Sequence, residues 1–334
     1  MRPSCPPRRR TRLLVTGAVV LAAVVALGGP ALAGTPTPPP LPSGPGSTMR
    51  SAAVAPREGQ AAKDRLDARR ATAPANVTAW WVDPGTHQTV VAVVGPATRA
   101  AGAFAADDNP AAVRVQPMSA PIRPLDAGPL AAAPPAAGPP APGPLVGGTT
   151  ITTSGTRCSD GFSARRGTTT YLLTAGHCTT EGRTWNGPDR QPIGPVVRSE
   201  YPGHDYGIVQ VTNTAAWRGS GQVKGGPTIT GATAAATGSP VCRSGSTSGY
   251  HCGVVQATDV TVNYGKGTVI TGLTQTTVCA DPGDSGGPYL APDTAQAQGT
   301  LSGGTGDCVA GGTTYFQPLA PVLASMGLTL VTGP

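Results

Sequence analysis

The C-terminal part of the chain, residues 146–334, predicts an all-β fold of two barrels followed by one helix. Three observations indicate this architecture. The segment is rich in Gly, Thr, Ser and Val, and its short apolar runs are interrupted by turn residues, as is typical of antiparallel β-proteins. It also has few charged residues, ten basic and ten acidic. Helical periodicity is confined to PLAPVLASMG, between Pro318 and Gly327.

The first 33 residues have the three parts of an export signal. A cluster of arginines precedes an apolar run, residues 13–27, and small residues follow it up to Ala33. The run is shorter than the roughly 20 residues of a membrane-spanning helix, and a proline-rich tract follows it. We therefore expect a signal peptide, residues 1–33, an extracellular protein, and no membrane partner once the signal is removed.

Residues 34–145 predict a pro-region in three parts. Residues 34–74 are rich in Pro, Gly, Ala and basic side chains, which predicts disorder or at most local helix. Residues 75–118 predict a small α+β unit, because AWWVD and QTVVAVV flank a Pro-Gly-Thr turn as in a hairpin, and an alanine-rich helix and the strand AAVRVQP follow. Residues 119–145 predict a cleavable Pro/Ala-rich linker. The net charge of +7 lies in this pro-region and the signal, so we expect no nucleic-acid partner.

Six cysteines lie beyond residue 150. An even number in an exported chain predicts disulfides, and the lack of a CxxC pair disfavours a metal site, so we expect neither metal nor cofactor. Fifteen connectivities are possible for six cysteines, and the residues alone do not choose among them. The six are Cys158, Cys178, Cys242, Cys252, Cys279 and Cys308.

The run PGDSGGP, residues 282–288, contains the candidate nucleophile Ser285. A serine hydroxyl attacks a peptide bond only when a base removes its proton, and the reaction also needs donors for the oxyanion. The glycines around Ser285 let the backbone turn sharply, so the amides of Gly283 and Ser285 can converge on the developing charge. This pattern predicts an oxyanion hole at the candidate nucleophile.

Two further residues complete a candidate catalytic triad. His177 ends an apolar strand in LLTAGHC, and Asp205 precedes an apolar strand in HDYGIV, where an aspartate is otherwise unfavourable. We expect His177 to act as the base and Asp205 as the buried acid that orients it. An inactive binding protein of the same fold is the alternative, but its usual mark is a missing triad residue. A Pro/Ala-rich stalk protein would leave the six cysteines unexplained.

TAGHC, DYGIV and GDSGGP, in the order His, Asp, Ser, resemble the chymotrypsin-like serine proteases, in particular the bacterial secreted branch of streptogrisins and α-lytic protease. The resemblance covers residues 146–334, and AWWVDPGTHQTVVAVV resembles the pro-region of that branch. It implies two six-stranded antiparallel Greek-key barrels, polypeptide substrates, and a pro-region that assists folding and inhibits the protease. We expect a monomer. The implied disulfides are Cys158–Cys178, Cys242–Cys252 and Cys279–Cys308.

The resemblance also implies a structural ion pair beside the nucleophile. A buried Asp284 needs a cationic partner, because an unpaired interior charge is costly. Arg243 in VCRSGSTSGY matches the arginine that serves this purpose in the bacterial branch. We therefore expect the Asp284–Arg243 pair to hold the oxyanion loop.

Substrate contacts follow from the same resemblance. The strand at Ser302, Gly303 and Gly304 should pair with an extended substrate, and Thr277 and Thr314 should lie at the floor and far wall of the pocket for P1, the residue before the scissile bond. The lack of a carboxylate at that floor predicts a large apolar or aromatic P1 residue. Asp281 at the pocket mouth leaves a mixed preference open.

The expected cut before VGG also fits an apolar preference. Cleavage there places Leu145 in the pocket and makes Val146 the mature terminus. Taken together, the residues predict a secreted serine endopeptidase that is made as a zymogen.

Overall fold

The computed structural model of the protein describes residues 54–127, 143–180 and 182–334, all within one compact unit, Arg50–Pro334. The predicted signal peptide, the first part of the predicted disordered segment and the centre of the predicted linker lie outside these residues. Within the described ranges, no helix has the length and apolar character needed to cross a bilayer.

Helices make up a small part of the fold. They are α1 Pro56–Ala68, α2 Arg99–Ala105, α3 Gly176–Thr179 and α4 Leu319–Met326, with two 3₁₀ turns at Arg70–Thr72 and Pro110–Ala112. The terminal helix α4 ends at Gly327, whose left-handed φ of 57° suits a residue without a Cβ. The single helix predicted at the end of the β-domain is confirmed.

Strands dominate the described residues. Those of the pro-region and the linker are β1 Val77–Val82, β2 Thr89–Val94, β3 Val113–Met118, β4 Arg123–Pro124 and β5 Gly143–Pro144. The next eight are β6 Thr150–Thr152, β7 Arg157–Ser159, β8 Phe162–Arg166, β9 Thr169–Thr174, β10 Thr184–Asn186, β11 Pro192–Glu200, β12 Tyr206–Gln210 and β13 Trp217–Arg218. The last are β14 Pro240–Gly245, β15 Gly249–Gly265, β16 Thr268–Thr276, β17 Pro288–Ala291, β18 Gln296–Asp307, β19 Gly311–Pro318 and β20 Thr329–Leu330.

The C-terminal half of the β-domain is a closed barrel. Its strands follow the order β14-β17-β18-β19-β16-β15, and β14 also pairs with β15, which closes the ring. All neighbours in this ring are antiparallel. The rings of Tyr289 and Phe316 stack in its interior with centroids 4.7 Å apart. This half agrees with the predicted six-stranded antiparallel barrel.

The N-terminal half contains an eight-stranded sheet rather than the predicted six strands. The order is β20-β8-β9-β12-β11-β10-β6-β7. Part of the difference arises because the tail after α4 returns to this half and adds β20 antiparallel to β8, with Thr329 opposite Arg165. Buried Leu172, Trp185 and Trp217 lie in its core.

The pro-region continues the sheet of the C-terminal barrel. β1 and β2 form the predicted antiparallel hairpin, and β3 joins β2 in parallel. β1 also pairs with β15, with Ala79 opposite Val262 and Trp80 opposite Thr261. Three pro-region strands thereby extend the barrel sheet, so the pro-region docks through main-chain hydrogen bonds.

Helix α1 lies within the segment predicted to be disordered or at most locally helical, and its close packing against the rest of the fold was not expected. Ala62 and Leu66 are buried, and Lys63 is buried with its ammonium 2.7 Å from Asp67 and 2.9 Å from Asp259 of the barrel. A segment with so few large apolar side chains does not normally fold by itself. Here the hairpin and the barrel cover the few apolar positions and pair the buried charge, which composition does not reveal.

Candidate active site

Three predicted catalytic side chains meet between the two halves of the β-domain. His177 lies in α3 directly after β9, and Asp205 directly precedes β12, so the pairing of β9 with β12 sets their separation. Asp205 Oδ2 is 2.8 Å from His177 Nδ1, and His177 Nε2 is 2.8 Å from Ser285 Oγ. The structure brings together the whole predicted triad in hydrogen-bonding order.

Asp205 is fully buried and well supplied with donors. Its carboxylate accepts hydrogen bonds from the backbone N–H of His177 at 2.9 Å and from the hydroxyl of Ser302. Ser302 is itself 2.8 Å from the Tyr264 hydroxyl, and the Asp205 backbone N–H donates to the side chain of Gln317 at 3.0 Å. Sequence reasoning missed these hydroxyl and amide contacts, because no motif marks them. The bonds to the carboxylate hold it in place beside the imidazole of His177.

The pKa of His177 results from opposing effects. Burial lowers it, but the charge of Asp205, the hydrogen bond to that carboxylate and the more distant charge of Asp126 outweigh burial and raise the pKa above its ordinary value. An imidazole of this kind accepts a proton readily. This is the property that a general base beside a serine needs.

The turn around Ser285 uses backbone conformations that favour glycine. Gly283 has a φ of 102° and Gly286 a φ of 81°, and a Cβ on Gly286 would lie 1.9 Å from Thr174 Oγ1. The amide of Gly283 donates a hydrogen bond of 2.5 Å to the carbonyl oxygen of Leu125. One of the two predicted oxyanion donors therefore already holds a peptide carbonyl. The matching role of the Ser285 amide stays a prediction.

Asp284 and Arg243 lie together beneath this turn with both side chains fully buried. Arg243 Nη1 is 3.3 Å from Asp284 Oδ2. Asp284 also accepts from the backbone N–H of Thr247 at 2.8 Å, from Ser248 through both its N–H and its hydroxyl, and from the N–H of Asp281 at 2.9 Å. The pair ties the oxyanion loop to the loop at residues 246–248.

The side chain of Leu125 fills an apolar pocket beside Ser285. Thr314 lies beside Leu125 against Gly304. Its Oγ1 is 2.8 Å from Thr276 Oγ1 and 2.6 Å from the Tyr289 hydroxyl, and it donates to the carbonyl of Val278 at 2.7 Å. Because these hydroxyls bond to one another, they offer little to a charged ligand. The buried side chains clustered with Leu125 are Val241, Val255, Val278, Ala280, Tyr289, Leu301 and Phe316.

Thr277 and Asp281, which were also predicted to contact substrate, have other hydrogen-bond partners. Thr277 is exposed and its hydroxyl accepts from the Val254 N–H at 3.0 Å, while the neighbouring Val278 packs in the cluster around Leu125. The pocket position assigned to Thr277 is thus offset by one residue. Asp281 accepts from the Cys308 N–H at 3.3 Å.

A segment of the predicted linker occupies the cleft on both sides of Ser285. β4 pairs antiparallel with β18 at Gly303 and Gly304, the strand predicted to bind substrate. Beyond Ser285, Ala127 forms an antiparallel bridge with Arg157, with N–H to carbonyl distances of 3.2 Å and 2.8 Å. Sequence reasoning missed this docking, because the linker is too poor in apolar residues to predict a bound strand.

Three disulfides surround the site: Cys158–Cys178, Cys242–Cys252 and Cys279–Cys308. They are the pairs that the resemblance implied. Cys178 follows His177, so the first disulfide anchors α3 to β7. The described residues contain two groups of His and Cys close enough to hold a metal ion, but every cysteine in them is in a disulfide and offers no thiolate.

A family model described as Trypsin matches residues 145–324, more than half of the chain. The chain belongs to the trypsin family. A second model, described as the alpha-lytic protease prodomain, matches residues 58–108. This trypsin-family chain thus carries a pro-region of the α-lytic type ahead of its β-domain.

Two curated relatives of this trypsin-family chain come from Streptomyces griseus. Streptogrisin-C of Streptomyces griseus is 42% identical over 265 residues, which are 78% of this chain and 53% of that protein. Streptogrisin-D of the same organism is 48% identical over 55% of this chain and 47% of its own length. The chain therefore spans about half the length of these relatives. Among solved structures, Thermobifida fusca Protease A is 46% identical, with a TM-score of 0.52 over 57% of this chain and all of that one.

Proposed function

We propose that the protein is a secreted serine endopeptidase, made as a zymogen, that hydrolyses peptide bonds through an acyl-enzyme. The observation that carries this proposal is the hydrogen-bonded line Asp205–His177–Ser285, which ends at a peptide carbonyl held by Gly283. An inactive binding protein of the same fold is disfavoured, because it would have no use for this complete arrangement.

The proposed reaction follows from these distances. His177 Nε2, 2.8 Å from Ser285 Oγ, takes the hydroxyl proton as the oxygen attacks the substrate carbonyl carbon. The amides of Gly283 and Ser285 stabilise the oxyanion, and Asp205 stabilises the imidazolium. His177 then gives the proton to the leaving amine. Water, activated by the same imidazole, releases the acyl group from Ser285.

We further propose a preference for a large apolar or aromatic residue before the scissile bond. Leu125 in the pocket supports this, as do the hydroxyls of Thr276, Tyr289 and Thr314, which bond to one another. A related glutamic acid-specific serine protease, 34% identical, is described as using a histidine triad in substrate binding. No histidine occurs here in residues 276–281, 301–305 or 312–316, which disfavours selection for glutamate.

The pro-region is proposed to assist folding of the protease and to inhibit it. Its strand β1 extends the barrel sheet through β15, and the segment after β3 fills the cleft at Gly303 and Gly304. Both contacts support a precursor that does not cleave other polypeptides until the pro-region leaves. We propose that the released enzyme acts on polypeptides as an extracellular monomer, with no nucleic-acid or membrane partner.

Hydrolysis of a matched peptide series tests the function and the preference together. The activated protein should cleave peptides with Leu or Phe at P1 with a kcat/KM at least about 100-fold above those with Lys or Glu, because an unpaired charge in an apolar pocket is costly. A preference for Lys would assign Asp281 the decisive role. A folded, released protease domain that cleaves none of the peptides would contradict the proposed activity.

A further inference from the structure

We infer that the chain cuts itself at the bond between Leu125 and Asp126, upstream of the predicted mature terminus at Val146, and that this first cut is intramolecular. The inference rests on the proposed protease activity and names the first substrate of the site. It places the first processing bond near the start of the segment predicted to be a cleavable Pro/Ala-rich linker, residues 119–145.

The peptide is bound on both sides of this bond. Before it, Pro124 lies opposite Gly303 and Arg123 lies opposite Gly304 on β18. After it, Ala127 exchanges two main-chain hydrogen bonds with Arg157. An extended chain paired on both sides of a nucleophile is fixed in register, so a single peptide bond faces Ser285.

The bond that faces Ser285 is the one after Leu125. The carbonyl oxygen of Leu125 accepts the 2.5 Å hydrogen bond from Gly283, and its N–H lies 3.1 Å from Ser285 Oγ. The Leu125 side chain is only 8% exposed and fills the apolar pocket. The carbonyl carbon between these anchored groups is the one the serine oxygen can attack.

The competing bond after Leu145 is held elsewhere. β5 pairs in parallel with β13, the N–H of Leu145 donates to the Arg218 carbonyl at 2.8 Å, and the Ser220 hydroxyl donates to the Leu145 carbonyl at 2.6 Å. The Leu145 side chain is 3% exposed within the N-terminal core. Cleavage after Leu145 requires its withdrawal from this core, whereas cleavage after Leu125 requires no rearrangement.

The step balances as an ordinary acyl transfer followed by hydrolysis. Ser285 Oγ forms an ester with the Leu125 carbonyl carbon as its proton passes to His177. The bond from that carbon to the Asp126 nitrogen breaks, and His177 delivers the proton to this nitrogen, which becomes a new amino terminus. Water then adds to the ester, leaving a carboxylate on Leu125 and the hydroxyl on Ser285. Residues 126–145 stay attached to the protease domain.

The first test uses the full precursor, refolded and sampled over time, with amino-terminal sequencing and intact mass. The first new terminus should be Asp126, and its half-time should be unchanged over an about 100-fold dilution, because an intramolecular reaction is independent of concentration. A first terminus at Val146 or elsewhere overturns the assigned bond. A half-time that lengthens in proportion to dilution overturns the intramolecular step.

A matched pair of variants isolates the bond. Leu125→Asp should slow cleavage at this position by at least about 100-fold, because it puts a charge into the apolar pocket. Leu130→Asp, in the same Pro/Ala-rich linker, should leave the rate unchanged; equal rates in both variants overturn the inference. Hydrolysis of a Leu peptide by the processed wild type keeps the two proposals apart. If the processed protein hydrolyses the peptide but the precursor is cut at another bond, only the assignment of the Leu125–Asp126 bond fails. If the processed protein does not hydrolyse the peptide, the proposed function fails.

Discussion

Replacing Arg243 by Met should displace the oxyanion loop and lower activity, although Arg243 is not a member of the triad. The substitution removes the cation 3.3 Å from Asp284 and also its hydrogen bonds to the carbonyl of Cys279 at 3.1 Å and 3.0 Å. Asp284 adjoins Ser285, so its position fixes that of the oxyanion donors. The buried carboxylate then keeps only neutral donors, and its uncompensated charge favours conformations in which its loop moves toward water.

The structure sets the expected size of the effect. Both side chains of the pair have 0% exposure, and removal of one partner from such a pair costs about 3–5 kcal/mol. The neutral donors on Asp284, from Thr247, Ser248 and Asp281, remain, so we expect the lower end, about 3 kcal/mol. If this cost falls on the catalytic conformation, it corresponds to a loss of about 100-fold in kcat/KM.

A double-mutant cycle provides the assay. Urea unfolding is measured for Arg243→Met, Asp284→Asn and the double variant in a Ser285→Ala background, which prevents autolysis, and kcat/KM on a Leu peptide is measured with Ser285 intact. The double variant should recover most of the lost stability, because it leaves no unpaired charge. Full activity and full stability in Arg243→Met alone would refute the role given to the pair.

Two further predictions concern buried groups near the site. Burial raises the pKa of Asp160 from 3.8 to about 7, so the folded state holds this proton more tightly than the unfolded state, and stability should fall as pH rises from about 4 to about 7. Asp160→Asn should remove this fall in the free energy of unfolding, which amounts to at most about 4 kcal/mol. Urea unfolding of the wild type and the variant at several pH values measures it. Stability profiles that run parallel in the two proteins would contradict the prediction. Ser302→Ala removes a donor to Asp205 and should lower kcat about tenfold with little change in KM, whereas a rise in KM alone would show that the hydroxyl acts only in substrate binding.

Local patterns predicted much of the fold, because they reflect local physics. The alternating and apolar runs of the β1–β2 hairpin and the periodicity of α4 appear in the structure as expected. The prediction for α1, disorder or at most a local helix, did not include its packing, because that packing depends on partners far away in sequence. Asp259, which pairs with Lys63, lies on β15 of the C-terminal barrel.

In the candidate site, too, local motifs were predictable and long-range contacts were not. The motifs around His177, Asp205 and Ser285 are short, so the sequence alone identifies them. The structure brings these residues together. The sequence did not predict that Ser302 contacts Asp205 or that Leu125 lies in the pocket. Both depend on tertiary contacts between segments separated by about 100 residues or more, and neither lies in a recognisable motif.

The proton relay is tested most directly by the reaction of the released protease domain with a fluorophosphonate, followed by mass spectrometry of the labelled peptide. The phosphonyl group should attach to Ser285, and labelling should slow at least about 1000-fold in His177→Ala, because the hydroxyl reacts only when the imidazole takes its proton. A folded protein that stays unlabelled, or one in which His177→Ala reacts as fast as wild type, would contradict the relay.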